Sequence, residues 1–394
     1  MRKLLIVPVF HHALGGATVS LSMTLKGFQQ CGALNQLCVL LRADSLMEQY
    51  LCQAGYESCL HLIPERSLGQ FMKQALHWVN QQPPDWPVLL ENCVARQLLP
   101  AMALAAPRLR WSRRPIYLIF RDLAYSPHPL GSLLRKFTLA SLAPRAICNS
   151  QFTAKHIRKL VPYIEEVLYP PVDLERFNDR PSVKPPPANL QPILNSGARI
   201  ILTPSRISKS EDNINDKNLR SLLLVLAQLK SRGQNYHGVV IGQDTSSDQQ
   251  NIRALLAQAK DLGVTDRFTI LPPVFAIEDY YKYADVVMTL APREPFGRTI
   301  VEAIACGVPV VGSQTGGIGE ILGNFAPEWT VNPYNPAAAA EIIIQIAHSP
   351  NSSKLLAQGQ RWVETHCSVA SYAHRIMEIT GLDSTKLPET ELVY

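Results

Sequence analysis

Short uninterrupted apolar runs, each followed by a longer amphipathic segment, are the feature that most limits how this chain can fold. The first run covers residues 4–10, and others lie at 199–204 and 268–271. A strand that is apolar on both faces is buried between two layers of helices, as in parallel sheets. Because such strands alternate with helices in both halves, the sequence predicts an α/β protein made of doubly wound, Rossmann-like units.

The length and the prolines predict how these units divide the chain. At 394 residues, the chain can form two domains that each bury a core. Prolines cluster between the halves, where a stiff, polar segment is unsuited to a core element. We therefore predict an N-terminal domain at 1–180, a linker at 181–195, a C-terminal domain at 196–366, and a last helix and tail at 367–394.

Composition is that of a soluble globular enzyme, with 46% hydrophobic and 18% charged residues. No apolar run reaches about 18 residues, so we expect no transmembrane helix. The first run resembles a signal peptide but is short and lacks a cleavage site, which favours a buried strand. The eight cysteines show no CxxC pattern and no histidine at ligand spacing. We expect reduced, buried thiols in a cytoplasmic protein, and no metal site.

The net charge of +6 is unevenly spread. Up to Lys184 there are 21 Lys and Arg against 12 Asp and Glu, a balance of +9, and the rest has 17 against 20, a balance of −3. The basic half, with a cluster around one tryptophan at 107–115, favours peripheral contact with the inner face of an anionic membrane, or an acidic acceptor. A solvated basic surface is the alternative, and we expect no nucleic-acid partner.

The stretch 293–312 carries the clearest chemical signal. An apolar strand at 285–290 runs into a Pro/Gly turn, a helix at 299–305, a glycine and a further strand at 308–311. A helix that begins after a glycine turn at a strand's carboxyl end presents free amides and a positive dipole end, which suits phosphate. The residues predicted to form this phosphate site are Phe296, Gly297, Arg298, Thr299 and Ile300.

Two carboxylates, Glu294 and Glu302, bracket this turn. A carboxylate beside a phosphate site is unfavourable unless it binds something else, and sugar hydroxyls are suitable partners. Glu302 suits a ribose diol, because a carboxylate accepts two hydrogen bonds at once, and Glu294 suits a hexose hydroxyl. The alternative is a surface helix with two solvated glutamates.

The Glu–seven residues–Glu spacing with Phe-Gly after the first glutamate, continued by Gly316-Gly317 within 313–321, resembles the donor site of family 4 retaining glycosyltransferases. The resemblance implies the GT-B architecture, with two doubly wound domains facing each other across a cleft. It also implies transfer of a sugar from a nucleotide sugar to an acceptor hydroxyl, with retention and without a metal or other cofactor. The run 171–177 resembles the family's link between domains, and the last helix is expected to return to the first domain.

Further site residues follow from the same resemblance. Arg206 and Lys217 match two cations that reach the donor diphosphate, although their gap of eleven positions leaves Lys209 as a rival for Lys217. Fixed cations and helix N-termini stabilise a leaving diphosphate, which gains negative charge. The pair Gly15-Gly16 is expected to face the donor from the first domain, where glycine allows close backbone approach.

The base and the acceptor are less well defined. Backbone groups near Gly242 and at 272–275 are expected to contact the base of the nucleotide. Arg121 and Asp122 follow a predicted strand and are expected on the acceptor side. Arg121 stands where family members carry a histidine. Arginine cannot act as a base, but it can hold a phosphate or an acceptor carboxylate.

Several alternatives remain open at this point. A sugar-nucleotide epimerase would share the phosphate site but take no acceptor. A non-catalytic nucleotide-sugar-binding subunit would keep both glutamates without turnover. The arginine at position 121, in place of the family's histidine, is the reason to consider it. A dehydrogenase is disfavoured by the missing G-x-G-x-x-G, and no Asp-x-Asp between strands recruits a divalent ion. The donor could be a UDP-, GDP- or ADP-sugar, and the acceptor a polysaccharide or a lipid-linked carbohydrate.

Overall fold

The computed structural model describes residues 1–8, 16–65, 67–125, 129–182, 184–208 and 216–382. The chain divides into two compact units. Unit 1 comprises Met1–Pro171 and His366–Tyr394, and unit 2 comprises Val172–Thr365.

Strands and helices alternate along both units. Unit 1 begins with β1 (Leu4–Pro8), α1 (Gly16–Gln30), β2 (Leu37–Arg42), α2 (Leu46–Gln53), β3 (Leu60–Ile63), α3 (Leu68–Gln81), β4 (Val88–Glu91), α4 (Leu99–Trp111), β5 (Ile116–Phe120), α5 (Pro129–Leu142), β6 (Arg145–Cys148), α6 (Gln151–Ile157) and β7 (Ile164–Val167). Unit 2 continues with α7 (Gln191–Asn195), β8 (Arg199–Pro204), α8 (Arg220–Ser231), β9 (Tyr236–Ile241), α9 (Gln250–Asp261), β10 (Phe268–Leu271), α10 (Glu278–Tyr281), β11 (Val286–Thr289), α11 (Arg298–Ala305), β12 (Val310–Ser313), α12 (Gly316–Gly323), β13 (Thr330–Val331), α13 (Pro336–His348) and α14 (Asn351–Cys367). The last helix, α15 (Val369–Thr380), belongs to unit 1.

Unit 1 is built on a parallel sheet of strand order β3-β2-β1-β4-β5-β6-β7. Along β1, Leu5 and Val7 enter the core beneath α3 to α6, whereas Leu4 and Ile6 enter the core beneath α1, α2 and α15. The strand is therefore buried on both faces, which explains its uninterrupted apolar sequence. The strand order reverses between β1 and β4, and this reversal is the switch point of a doubly wound sheet.

Helix α15 packs against α1. A Cβ added to Gly27 of α1 would overlap the backbone of Val369, so glycine permits the close approach of the two helices. Tyr117 donates a hydrogen bond of 2.7 Å from its hydroxyl to the carbonyl of Ile379, and the guanidinium of Arg2 donates one of 2.6 Å to the carbonyl of Gly381. These contacts attach α15 and the residue that follows it to unit 1.

Unit 2 repeats this architecture with the parallel strand order β10-β9-β8-β11-β12-β13. Its switch point lies between β8 and β11, where Ile201 pairs with Val286. Leu222 of α8, Val240 of β9 and Met288 of β11 belong to one core on the side of α8, α9 and α13. Both units are thus doubly wound, as the alternation of strands and helices predicts.

Residues 181–195, predicted as a linker, lie within unit 2. Leu190 and Ile193 are buried, and the segment ends in the short helix α7. Pro192 lies in the first turn of this helix, where its missing N–H costs no hydrogen bond. Proline content therefore indicated stiffness at this point, but the segment also supplies core residues.

The cysteines are all free thiols, and burial raises the pKa of the Cys148 thiol to about 12. Such a thiol stays protonated near neutral pH and is a poor nucleophile. Among the helices that the structure describes, none combines the length and apolar character needed to cross a bilayer.

Candidate functional site

The turn between β11 and α11 lies at the switch point of unit 2. Gly297, the residue before α11, has φ 103°, a left-handed conformation that favours glycine. The amide of Ile300 donates to the carbonyl of Gly297 at 2.9 Å. The amides of Arg298 and Thr299 precede it in the first helical turn, at the positive end of the helix dipole. They are the donors best placed to bind an anion at this end of the helix.

The N-terminus of helix α12 packs against this turn and forms a hydrogen bond with it. The amide of Gly317 donates to the carbonyl of Glu294 at 2.8 Å. A Cβ added to Gly317 would lie 2.5 Å from Cα of Phe296, and one added to Gly316 would lie 2.8 Å from the carbonyl oxygen of Glu294. The two glycines therefore let the helix approach the turn closely, while the Phe296 side chain is buried beneath it.

The carboxylate of Glu294 forms an ion pair with the ammonium group of Lys217. Both side chains keep about a fifth of their surface exposed, at 22% and 23%. The contact joins the loop before α8 to the turn before α11, so two residues that the sequence predicted separately for the donor site lie together. Lys209, the rival of Lys217, lies outside the described residues.

Two buried residues hold the backbone of Lys217 on either side. The carboxylate of Asp216 accepts a hydrogen bond from the amide of Asn218 at 2.8 Å and forms an ion pair with Arg220 at 2.8 Å. Asn218 donates to the carbonyl of Pro333 at 2.7 Å. Sequence reasoning missed both residues. Asn218 has a positive φ of 51°, which is not a helical conformation, and α8 begins at Arg220. Asp and Asn two positions apart are the turn signal that could have revealed this arrangement.

Arg206 and Gly242 lie at the carboxyl ends of β8 and β9. The side chain of Arg206 is exposed, and within the described part of the chain it has no ion-pair partner. A Cβ added to Gly242 would overlap the carbonyl oxygen of Ser205. Packing therefore requires glycine at position 242, because only its missing side chain lets the loop that carries Arg206 lie against the end of β9.

Glu302 lies in α11 with only 8% of its surface exposed. The hydroxyl of Tyr281 donates to its Oε2 atom at 3.1 Å. Burial raises the pKa of Glu302, and Arg298, Tyr281 and Arg176 partly oppose that shift. The carboxylate is thus held in one position in an environment that makes its ionised form less favourable than in water.

Arg176 was also missed by sequence reasoning, which assigned its run only to the link between domains. Its guanidinium forms an ion pair of 2.7 Å with Glu278 and donates to the carbonyl of Phe275. Arg176 therefore ties the start of unit 2 to the loop at 272–275, where base recognition is predicted. An arginine in a run that resembles the family was the signal available.

In unit 1, Arg121 follows β5 and donates to the carboxylate of Glu91 at the end of β4. Burial lowers the pKa of Arg121, but Glu91 and the hydroxyl of Tyr372 outweigh that effect and raise it overall. The side chain of Arg121 is only 12% exposed, and its charge is paired with that of Glu91. The sequence could not show that a carboxylate ends the neighbouring strand beside it, and the acceptor-side role of Arg121 stays a prediction.

Asp122 lies at the same edge of the unit 1 sheet. Its carboxylate accepts hydrogen bonds from the side-chain amide of Asn92 at 3.1 Å and from the backbone amide of Ala124 at 2.7 Å. These bonds fix a half-buried carboxylate at the carboxyl end of β5. Its acceptor role stays a prediction. Gly16 is the first residue of α1, and Gly15 lies outside the described residues.

The described residues contain no group of three or more histidine, cysteine, aspartate or glutamate side chains arranged to hold a metal ion. Lys217 and the N-terminus of α11 bring positive charge to the turn at 290–297, and Arg206 follows β8, the strand beside β11. These groups can hold an anion such as a diphosphate.

Residues 194–362 match the family model of glycosyl transferases group 1. This segment includes both glutamates of the donor motif, Lys217 and Arg206, and the resemblance indicated by the sequence is confirmed. The curated relatives include D-inositol 3-phosphate glycosyltransferases of Segniliparus rotundus, with 28% identity over 55% of this chain and 49% of the relative, and of Streptomyces avermitilis, with 27% over 57% and 49%. The chain spans about half the length of these relatives.

Solved structures share the fold over almost the whole chain. Anabaena HepE, in a crystal structure with UDP and glucose, matches with a TM-score of 0.76 and 21% identity over 97% of this chain and 100% of that chain. A glycosyltransferase from Rickettsia africae matches with a TM-score of 0.73 and 17% identity over 96% and 98%. At this identity the likeness shows the fold, and the predicted GT-B class is confirmed.

Proposed function

We propose that this protein is a glycosyltransferase that moves a sugar from a nucleotide sugar to an acceptor hydroxyl. The observation that carries the proposal is the ion pair of Lys217 with Glu294 at the glycine turn before α11. A cation, a carboxylate and helix amides meet there within the segment that matches glycosyl transferases group 1. This combination suits a ligand that has a diphosphate joined to a polyhydroxyl group.

Each group has a role in this reaction. Lys217, Arg206 and the amides of Arg298 and Thr299 neutralise the diphosphate, which gains charge as its bond to the anomeric carbon breaks. Glu302 accepts hydrogen bonds from the ribose. The Glu294 carboxylate orients the transferred sugar through its hydroxyls.

The transfer forms a bond between the anomeric carbon and the acceptor oxygen, releases the acceptor's proton and leaves a nucleoside diphosphate. We propose that it retains the anomeric configuration, as in the family that the donor motif resembles. Protein cations would supply the charge stabilisation that a divalent ion provides elsewhere.

The donor is proposed to be a UDP-sugar, which is supported by the UDP and glucose in the HepE structure. Asp122, fixed at the edge of the unit 1 sheet, is proposed to contact the acceptor. The basic character of the first half supports a polysaccharide or lipid-linked acceptor, used on the cytoplasmic side of a membrane.

The test is release of nucleoside diphosphate from UDP-, GDP- and ADP-sugars, by the wild type and by Glu302→Ala, with mixed lipid and carbohydrate acceptors. We expect release from UDP-sugars that needs an acceptor and is lost in the variant. Tight donor binding without release would indicate a non-catalytic subunit. Conversion of the donor sugar without any acceptor would indicate an epimerase. Absence of binding to all donors would overturn the diphosphate site.

A further inference from the structure

Two neighbouring helices of unit 1, α4 and α5, carry large apolar side chains on their solvent side. Leu104 and Trp111 of α4 are 77% and 92% exposed. Leu130, Leu133 and Phe137 of α5 are 78%, 64% and 62% exposed. Their spacing of three, four and seven positions places each set on one side of its helix. We call these five residues the α4–α5 face.

These five side chains do not belong to the hydrophobic core of unit 1. Met102 and Leu109 of α4, and Leu139 and Leu142 of α5, are buried on the opposite sides of the helices, in the core above the sheet. The two helices pack against each other, and Thr138 of α5 donates to a backbone carbonyl of α4. Each helix therefore buries one apolar side in the core, and the α4–α5 face is a second apolar surface, which is exposed. A grouped apolar surface of this kind marks an interaction site.

The surroundings of the α4–α5 face are positively charged. Residues 92–164 contain 12 lysines and arginines, of which Arg114 and Arg135 are buried and Arg121 is paired with Glu91. They contain one acidic residue, Asp122, whose carboxylate is hydrogen-bonded as described. Arg108, Arg110 and Lys136 are exposed on the same two helices, which carry no acidic residue. A partner that fits this surface offers apolar contact and negative charge together.

We propose that the α4–α5 face docks on the surface of an anionic phospholipid bilayer. Leucine, tryptophan and phenylalanine enter the boundary between headgroups and acyl chains, while arginine and lysine contact the headgroup phosphates. Trp111 has the amphipathic ring that is favoured at this boundary. A second copy of the chain fits less well, because a two-fold contact would bring the basic helices against each other.

This inference names the surface on which the acceptor of the proposed function would be met, but its test needs neither donor nor turnover. The full chain is mixed with vesicles of phosphatidylcholine alone, or of phosphatidylcholine with phosphatidylglycerol, and floated through a density gradient. We expect flotation with the anionic vesicles only, weakened by added salt. Donor binding is measured separately, so either proposal can fail alone.

Variants locate the contact. Leu133→Ser with Phe137→Ser is expected to lower the partition into anionic vesicles about tenfold or more. Arg108→Gln with Lys136→Gln is expected to lower it and to flatten its salt dependence. Leu256→Ser, an exposed leucine in α9 of unit 2, is the matched control and should leave flotation unchanged. Circular dichroism and the melting temperature show whether each variant is folded.

Trp111 supplies an independent readout, because it is exposed whereas the other four tryptophans are buried or half-buried. Lipids brominated on the acyl chain should quench its fluorescence, and Trp111→Phe should lose that quenching. The proposal would be overturned by no flotation of the wild type, by equal flotation with neutral vesicles, or by flotation that is unaffected in the folded Leu133→Ser, Phe137→Ser variant. A dimer in solution that this variant abolishes would also overturn it, because the face would then join two copies.

Discussion

Lys217 and Glu294 form an ion pair although 77 positions separate them in the chain. The pair joins the loops that follow β8 and β11, the two strands on either side of the switch point in unit 2. Ligands of doubly wound sheets bind at this point because the loops on its two sides diverge and leave a crevice. The ion pair therefore lies at the position of the proposed donor site and links its two sides.

Replacing Lys217 by methionine should lower nucleoside diphosphate release about 100-fold, because the leaving diphosphate loses one fixed cation. Lys217→Arg should recover part of the loss. Lys230→Met, which removes an exposed lysine paired with Asp266, is the control and should leave release unchanged. Steady-state kinetics with a UDP-sugar measure the effect. Wild-type rates in a folded Lys217→Met variant would transfer this role to Lys209.

The raised pKa of Glu302 predicts a pH dependence of donor binding. Ribose hydroxyls need the ionised carboxylate as an acceptor, so affinity should fall as the pH drops through a value above the ordinary 4.5 of glutamate. Tyr281→Phe removes a hydrogen bond to the ionised form and should move this transition to higher pH. Isothermal titration calorimetry with UDP over a pH series checks both shifts. A transition that is the same in Glu302→Gln would contradict the assignment.

The raised pKa of Glu302 also makes the free energy of unfolding depend on pH. Burial raises the pKa of Glu302 in the folded protein, so the folded state binds the proton more tightly than the unfolded chain. This contribution to the free energy of unfolding is complete below the unfolded pKa and is lost as the pH rises through the folded pKa. Glu302→Gln cannot ionise and should therefore become more stable relative to the wild type over that interval, as measured by urea unfolding.

Gly242→Ala should destabilise unit 2 by about 1–3 kcal/mol or more, because the added methyl group overlaps the carbonyl of Ser205. Donor affinity should fall with it, since the loop that carries Arg206 must move. Gly323→Ala is the matched control, because a Cβ at that helical position meets nothing within 4 Å. It should be neutral or stabilise by about 0.5–1 kcal/mol. Thermal unfolding compares the two, and equal melting temperatures would contradict this reading of Gly242.

Arg121→Met should destabilise unit 1 by about 3–5 kcal/mol, because it leaves the buried carboxylate of Glu91 unpaired. The double variant Glu91→Leu, Arg121→Met removes both charges and should recover most of that loss. Arg96→Met, at an exposed arginine of the same unit, is the control. Urea unfolding and glycosyl transfer are measured together. A stable Arg121→Met variant that has lost transfer alone would support the predicted acceptor-side role of Arg121 over a purely structural one.

Local chemistry explains why the glycine turn of the candidate site could be predicted. The turn before α11 requires glycine at a left-handed φ, and the strand before it must be apolar because it is central in its sheet. Both requirements act between chain neighbours, so they leave a readable pattern at 285–312. The roles of Glu294 and Glu302 were inferred from their distance to this pattern.

The sequence by itself determined the α/β class, the doubly wound units and the position of the glycine turn, because these depend on short-range periodicity and backbone conformation. The tertiary structure alone decided which charges meet: Lys217 with Glu294, Arg121 with Glu91, and Tyr281 with Glu302. It also decided which apolar side chains of α4 and α5 stay exposed. Such pairings join residues that are distant in the chain. They depend on strand order and helix packing, which no local pattern encodes.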